Sequence, residues 1–486
     1  MSRQITRPWK LRAARAMATT CAACCVLSLA GCTTPMLKST VEVPDQFAMA
    51  ATSGAAPEVA WWERYGDPVL SELIQRAARE NRDVKIAKER VRAARAGETI
   101  SRSWLLPSFG AMASGSEQRT NYEGAARQAV PDTKGASGGV SASWEIDLSG
   151  RLRAGAAAAA ADTKATEDQA RGVRLLVLSD VASNYFMLVG ALQQIESVRA
   201  ISAAQDETLR LVIARQRVGM ASTFDVDRAR TEAASARAAI PPLETLAAAS
   251  RHRIAVLIGS QAADAAAIKP WTGNASVPDI QPGQPAELIE RRPDLLASRA
   301  QLEAANFRRR QAAAEWFPRL FASALFGRET ADVNGIDLGV TRFANASSVL
   351  TMPIFDWGRT RSINQIASSS QREALLRYED AIVRALEDVE NTVVALRDQR
   401  IRAQSLQIAA DSANAALGHA QSLYDRGQID LLPLLDAQRT RLSVRVSAND
   451  SNTRLLLATV DLFKALGGGW QAFEPENLAS TNEDPS

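Results

Sequence analysis

The chain has 486 residues, ample for a large core or for two repeated units. Abundant alanine and arginine with only 5% aromatic residues favour helix over sheet. The formal charge is +3, and the stretch up to Gly31 carries five basic and no acidic side chains, so the remainder is near −2. No basic run is left there to bind a phosphate backbone, which excludes nucleic-acid recognition.

Arg3, Arg7, Lys10, Arg12 and Arg15 precede an apolar stretch from Ala16 to Ala30, in the position of a secretion signal. It ends in Leu29-Ala30-Gly31-Cys32, which resembles the bacterial lipobox: a small residue, then a cysteine that is acylated and becomes N-terminal. The other cysteines, Cys21, Cys24 and Cys25, fall inside the signal, so acylation of Cys32 leaves no thiol for a disulfide or a metal. The expected non-protein group is the diacylglycerol and N-acyl lipid on Cys32, an anchor rather than a span. Thr33, where aspartate often means inner-membrane retention, points to the outer membrane. Beyond the signal no run of about eighteen apolar residues predicts a transmembrane helix.

The rest of the chain repeats itself. Asn81-Arg82-Asp83-Val84 aligns with Arg292-Pro293-Asp294-Leu295, and Trp104-Leu105-Leu106-Pro107 with Glu315-Trp316-Phe317-Pro318, both at an offset of 211. Trp144-Glu145-Ile146-Asp147 matches Pro353-Ile354-Phe355-Asp356 at 209, and Gly150, Gly219, Ala229 and Gly259 match Gly358, Gly427, Ala437 and Gly467 at 208. The resulting division is a signal (1–31), a lipidated arm (32–60), repeat 1 (61–259), a Pro/Gly/Ala-rich linker (260–286), repeat 2 (287–469) and a tail (470–486).

Each repeat opens with a helix, over 67–103 and 287–316, followed by two strands, near 106–118 and 138–148 and near 318–329 and 344–355. Val140, Ala142, Trp144 and Ile146 alternate with Ser141, Ser143, Glu145 and Asp147; Leu320, Ala322, Ala324 and Phe326 share one face, as do Leu350, Met352 and Ile354. That alternation suits a membrane strand, and equally a half-buried strand of a soluble sheet. Long proline-free stretches follow, Arg151 to Val218 and Arg359 to Arg426, with Leu178, Val181, Tyr185, Leu188, Leu192 and Ile195, then Ile382, Leu386, Val389, Val393 and Leu396, at coiled-coil spacing. At about 1.5 Å per residue each makes a helix on the order of 100 Å long. Gly219 and Gly427 mark the reversals. Ser222-Thr223-Phe224-Asp225 reads as a capping box and Asp430 as a cap ahead of Pro433, while Pro241-Pro242 breaks the first return helix.

Four strands cannot close a barrel, and an open sheet in lipid leaves costly unpaired backbone groups, so closure needs further copies. Two copies give eight strands and three give twelve; geometry alone leaves both open. The expected class is mainly α with a membrane β-barrel, built from two repeats of two strands and long coiled-coil hairpins.

The chain resembles the TolC-like outer-membrane efflux family, in its lipidated OprM/NodT branch. The resemblance rests on Trp61-Trp62 with Tyr65-Gly66-Asp67-Pro68, the run from Leu288 to Leu295, the run from Trp144 to Arg153, Pro353 to Arg359, and Leu434 to Arg439. It implies a homotrimer with a twelve-strand barrel and an α-helical tunnel. It also implies a periplasmic adaptor, an inner-membrane transporter of the resistance-nodulation-division type that supplies the energy, and passive conduction of small molecules such as drugs. By the same resemblance Leu432 and Asp436 close the tunnel, as an apolar constriction and a carboxylate ring. Arg217, Val218, Gly219, Ser222, Arg426 and Gly427 meet the adaptor. Glu145 and Asp147 are assigned to the lumen or to the barrel-to-tunnel junction. Ala154 to Ala161 either let neighbouring helices approach closely or serve helix propensity alone.

An enzyme is not expected. His252 and His419 stand apart, Gly467-Gly468-Gly469 ends a helix without a phosphate-loop lysine, and no nucleophile pairs with a base. Two other readings predict different things. A duct for type I protein secretion shares the architecture but not the lipobox and Arg-Pro-Asp run. A non-conducting envelope coiled coil lacks the four alternating strands.

Overall fold

The computed structural model describes residues 35–48, 59–119, 131–273, 276–280 and 283–474. The signal and Cys32 lie outside the described residues, as do parts of the arm, linker and tail. The chain forms two compact units, and each draws on both repeats.

One unit comprises residues 93–164 and 299–377 with residues 35–39 of the start of the chain. Its centre is an antiparallel sheet in the order β1 (Ser108–Gln118), β2 (Thr133–Ile146), β3 (Arg319–Val333), β4 (Ile336–Thr351). The second strand of repeat 1 therefore pairs with the first strand of repeat 2, Val140 opposite Phe326 and Ile146 opposite Leu320. β2 and β4 begin earlier than the alternation suggests. β4 ends at Thr351, so Met352 and Ile354 continue the pattern beyond the strand. Asn334 (φ 55°) and Gly335 (φ 81°) form the tight turn between β3 and β4, as a two-residue hairpin requires.

Helices enter and leave this sheet through two related joints. α2 (Arg82–Ser103) precedes β1, α3 (Arg151–Arg217) follows β2, α7 (Pro293–Ala313) precedes β3 and α8 (Arg359–Asp425) follows β4. Asp147 accepts from the backbone N–H groups of Leu152 (3.2 Å) and Arg153 (3.0 Å), capping α3. Asp356 accepts from Thr360 N (2.9 Å) and its hydroxyl (2.5 Å), capping α8. Burial tends to raise the Asp147 carboxyl, but the bonds from Arg153 and Leu152 outweigh it and hold it below the usual carboxylate range. The second joint is one residue shorter, and Trp357 takes up the difference at φ 53°, a conformation few side chains adopt. Glu145 is clamped by Arg151 (2.7 and 2.8 Å), at the joint rather than free. Ala154, Ala156, Ala158 and Ala161 are buried, and a Cβ on Gly155 would crowd Gln311 of α7, so the small residues set a close helix approach.

Pro35 and Leu37, in the described part of the arm, are fastened. Buried Asn306 and Gln371 bond each other (2.7 Å); Asn306 also bonds the backbone N–H (3.1 Å) and carbonyl (3.2 Å) of Leu37, and Gln371 the carbonyl of Pro35 (3.2 Å).

The other unit holds residues 40–92, 165–298 and 378–486. The stretch expected as one helix over 67–103 is two, α1 (Pro68–Glu80) and α2, and its counterpart is α6 (Pro285–Arg291) and α7. The breaks repeat a plan. Asn81 caps α2 and donates to Leu257 O (2.8 Å), while Arg292 in the matching place donates to Ala465 O (3.1 Å). These carbonyls end α5 (Ile240–Leu257) and α9 (Leu431–Ala465), so each repeat closes back on its own beginning. Asp294 and Asp388 bind Arg292 at 2.8 and 3.1 Å.

The Trp-Trp and Tyr-Gly-Asp-Pro signature builds a core. Trp61 stacks on Phe463 with centroids 5.0 Å apart, Trp62 on Phe473 at 5.5 Å, and Tyr65 shares a 2.5 Å hydrogen bond with Thr459. Asp67 caps α1 through Val69 N and Leu70 N and accepts from the Tyr185 hydroxyl at 2.5 Å. The seam residues Leu178, Val181, Tyr185 and Leu188, with Ile382, Val389 and Leu396, are buried. α3 contains a stretch long and apolar enough to cross a bilayer by composition, which a count of consecutive apolar residues misses. Most of it is buried against the protein itself, so core packing accounts for it.

Candidate channel tips and gate

Both long helices end in the same way. Gly219 (φ 78°) receives the chain as α3 stops, with Gly219 N donating to Gln216 O (3.0 Å) and Met220 N to Arg215 O (2.8 Å). Gly427 (φ 71°) does so after α8, through Gly427 N to Tyr424 O and Gln428 N to Leu423 O, both 2.9 Å. These bonds satisfy carbonyls that a helix end leaves orphaned, and the left-handed φ explains glycine at both places.

The return helices are α4 (Thr223–Ala238) and α9. Ser222 and Asp225 form the capping box: Asp225 N donates to Ser222 Oγ (3.1 Å), and Ser222 N (2.9 Å) and Ser222 Oγ (2.7 Å) both donate to Asp225 Oδ2, which holds the Asp225 carboxyl below its ordinary range. Asp430 stands at the cap position of α9, but its side chain makes no cap bond, contrary to the sequence expectation.

The two reversals share one core: Val212, Val226, Tyr424, Leu431, Leu434 and Leu435 pack as a buried cluster. Arg215 lies over the Tyr424 ring at 4.2 Å, and buried Gln438 donates to Thr208 (2.9 Å). Arg217, Val218, Gly219, Ser222, Arg426 and Gly427 all remain exposed at the ends. The structure adds Met220 and Phe224, 76% and 69% exposed, which the sequence reading passed over. Apolar side chains flanking a glycine reversal in a polar window are a signal that could have found them.

α9 turns one face to that core and another outward. Leu431, Leu434, Leu435 and Gln438 are buried, while Leu432 is 50% exposed and Asp436, one turn on, is exposed as well. The Asp436 carboxylate is held by Arg439 at 2.6 Å. A neighbouring copy, or an aqueous bore, can reach both gate candidates. His252 and His419 are exposed, and among the described residues no group of three or more His, Cys, Asp or Glu could hold a metal ion.

The family described as outer membrane efflux protein matches residues 73–260 and 285–468, one segment per repeat. Outer membrane protein OprJ of Pseudomonas aeruginosa is 32% identical over 426 residues, covering 87% of this chain and 89% of OprJ. The pyoverdine export outer membrane protein OpmQ of the same species is 31% identical, covering 93% of this chain and 96% of OpmQ. Among solved structures, the outer-membrane channel OprN superposes with a TM-score of 0.83 at 26% identity, covering 90% of this chain and 99% of OprN.

Proposed function

This chain belongs to the outer membrane efflux protein family, as an outer-membrane efflux channel of the TolC-like fold, and we propose that three copies close its sheet into a twelve-strand pore. The observation that carries this is the sheet itself. β1 and β4 are edge strands, and one face presents Phe109, Ala111, Val140, Ala142, Ala324 and Phe326. In lipid each unpaired edge group costs several kcal/mol, so the edges must be paired by neighbouring copies. Eight strands from two copies enclose a bore filled by side chains; twelve leave a channel. Native mass spectrometry of the purified protein, with conductance in planar bilayers, tests this: a mass of three chains and open-channel currents are expected, and a stable dimer or monomer without current would overturn it.

The channel serves a tripartite pump. The exposed tips at Arg217, Val218, Gly219, Ser222, Arg426 and Gly427 meet a periplasmic adaptor, and an inner-membrane transporter supplies the energy. Leu432 and Asp436 form the periplasmic gate. Cys32 carries the lipid; the fastening of Pro35 and Leu37 to Asn306 and Gln371 supports this, because it fixes the chain three residues beyond the anchor to the unit that contains the sheet. Metabolic acyl labelling is expected to be lost in Cys32→Ala, and persistent labelling would refute that assignment. The cargo is small molecules such as drugs. A deletion strain regaining resistance to amphiphilic drugs, dyes and solvents on complementation supports it. Restored resistance only to metal ions would replace it with metal export.

A further inference from the structure

On the face of the sheet that carries Val140, Ala142, Trp144, Leu320, Ala324 and Phe326, charge is confined to the end away from the helix joints. The first charged positions met there are Arg328 on β3 and Arg342 on β4, which stand directly opposite each other. Cross-strand partners lie about 5 Å apart, and like charges so placed repel. Both side chains are exposed, and among the described residues neither has an ion-pair or hydrogen-bond partner. On the other side of β3 the residue facing Arg328 is Gly138, which leaves the approach open. Further along the charges are mixed: Lys134 faces Asp332 and Glu117, and Asp332 also stands opposite Asp337.

The height of the pair fixes what it meets. From Leu320 to Arg328 the strand rises about 26 Å at ~3.3 Å per residue. A tilt of about 40° reduces that to about 20 Å, close to the apolar band of an outer-membrane barrel. Resting on the reading that this face meets lipid in the closed trimer, we propose that Arg328 and Arg342 together bind a phosphate of a phosphorylated glycolipid, lipid A, in the outer leaflet. Two planar guanidiniums converging on one phosphate offer paired charge-assisted hydrogen bonds and relieve the repulsion between them. Phe326, Ala324 and Ala344 just below receive the acyl chains.

The test uses the full-length lipidated protein, purified and stripped of co-purifying lipid. Its trimer is established by native mass spectrometry before any lipid is added, so a failure of assembly is separated from a failure of binding. Titration with bisphosphorylated lipid A should give bound adducts and a raised melting temperature. Affinity should fall roughly fivefold for each arginine removed in Arg328→Gln, Arg342→Gln and the double variant. Replacement of both arginines by lysine should retain most of the binding, which guards against a merely misfolded glutamine variant. Lipid A without its phosphates should bind weakly to wild type, and inorganic phosphate alone should give no shift. Equal binding of the dephosphorylated lipid would make the contact apolar. An equal shift with inorganic phosphate would make it a free-anion site. Equal lipid A affinity in wild type and the double glutamine variant would overturn the proposal outright.

Discussion

At the first hairpin tip Ser222 and Asp225 satisfy each other's backbone; at the second, Asp430 occupies the place of Ser222 and its side chain caps nothing. The repeat offset of 208 explains why. The position of Asp225 falls on Pro433, which has no backbone N–H to give and no carboxylate to return. The same offset puts Phe224 where Leu432 stands and Arg228 where Asp436 stands. The first return helix is fastened at its start and broken at Pro241-Pro242, whereas the second is free of a side-chain cap and runs 35 residues unbroken. A helix pinned at its tip is a fixed wall. The gate candidates lie on the uncapped helix, which is held by its buried face and, at its far end, by the Arg292 bond to Ala465 O.

The shared core is where both tips fail together. Leu434 is fully buried in it, so Leu434→Ala should cost about 2–5 kcal/mol in local stability. Hydrogen exchange should then quicken at both reversals at once. Acceleration at the second reversal alone would mean that the two tips are not one cooperative unit.

The joints offer the next effect, in acid. Asp147 titrates below the ordinary value in the folded protein, so its cap contribution is fully present above the unfolded-state pKa of about 3.9 and fades as pH falls through the lowered folded value. Asp356 is shifted the same way, chiefly by the Thr360 side chain. Asp147→Ala should flatten the acid limb of the stability curve and remove about 1 kcal/mol near neutral pH. An acid limb identical to wild type in this variant would assign the sensitivity elsewhere.

The caps test the contrast between the tips directly. Ser222→Ala should destabilise the first tip by about 1 kcal/mol, and Asp430→Ala the second by less than about 0.5 kcal/mol, both read as local exchange rates. Equal losses would show that Asp430 acts as a cap in solution and would remove the asymmetry.

The periodic features were the legible ones. Period-two alternation through Val140 to Ile146 and three-four spacing through Leu178 to Ile195 are set by which face is apolar, and that is written locally. The repeat offsets paired Asp147 with Asp356, and both cap the helix that follows, a role the alignment alone did not assign. What escaped the reading depends on partners remote in sequence. Asn81 and Arg292 break their helices because each reaches a carbonyl at the far end of its repeat. The arm has no periodicity, yet Pro35 and Leu37 are held by Asn306 and Gln371, more than 260 residues away. Asp430 fails for a local reason that was readable: a proline three residues on withholds the donor a capping box needs.

The proposed gate position carries little stability. Asp436 and Arg439 form an exposed pair within one helix, so Asp436→Ala should change stability by well under 1 kcal/mol. In the proposed trimer the same substitution removes a ring of three carboxylates from the proposed gate and should raise conductance. Arg439→Ala leaves those carboxylates unpaired and should make the channel more cation-selective. The two variants therefore separate gate from strut: a structural pair predicts similar small losses from both, whereas a gate predicts opposite shifts in ion selectivity. Single-channel recording of both variants beside wild type decides it: opposite shifts in cation selectivity establish the gate, and unchanged selectivity in both refutes it.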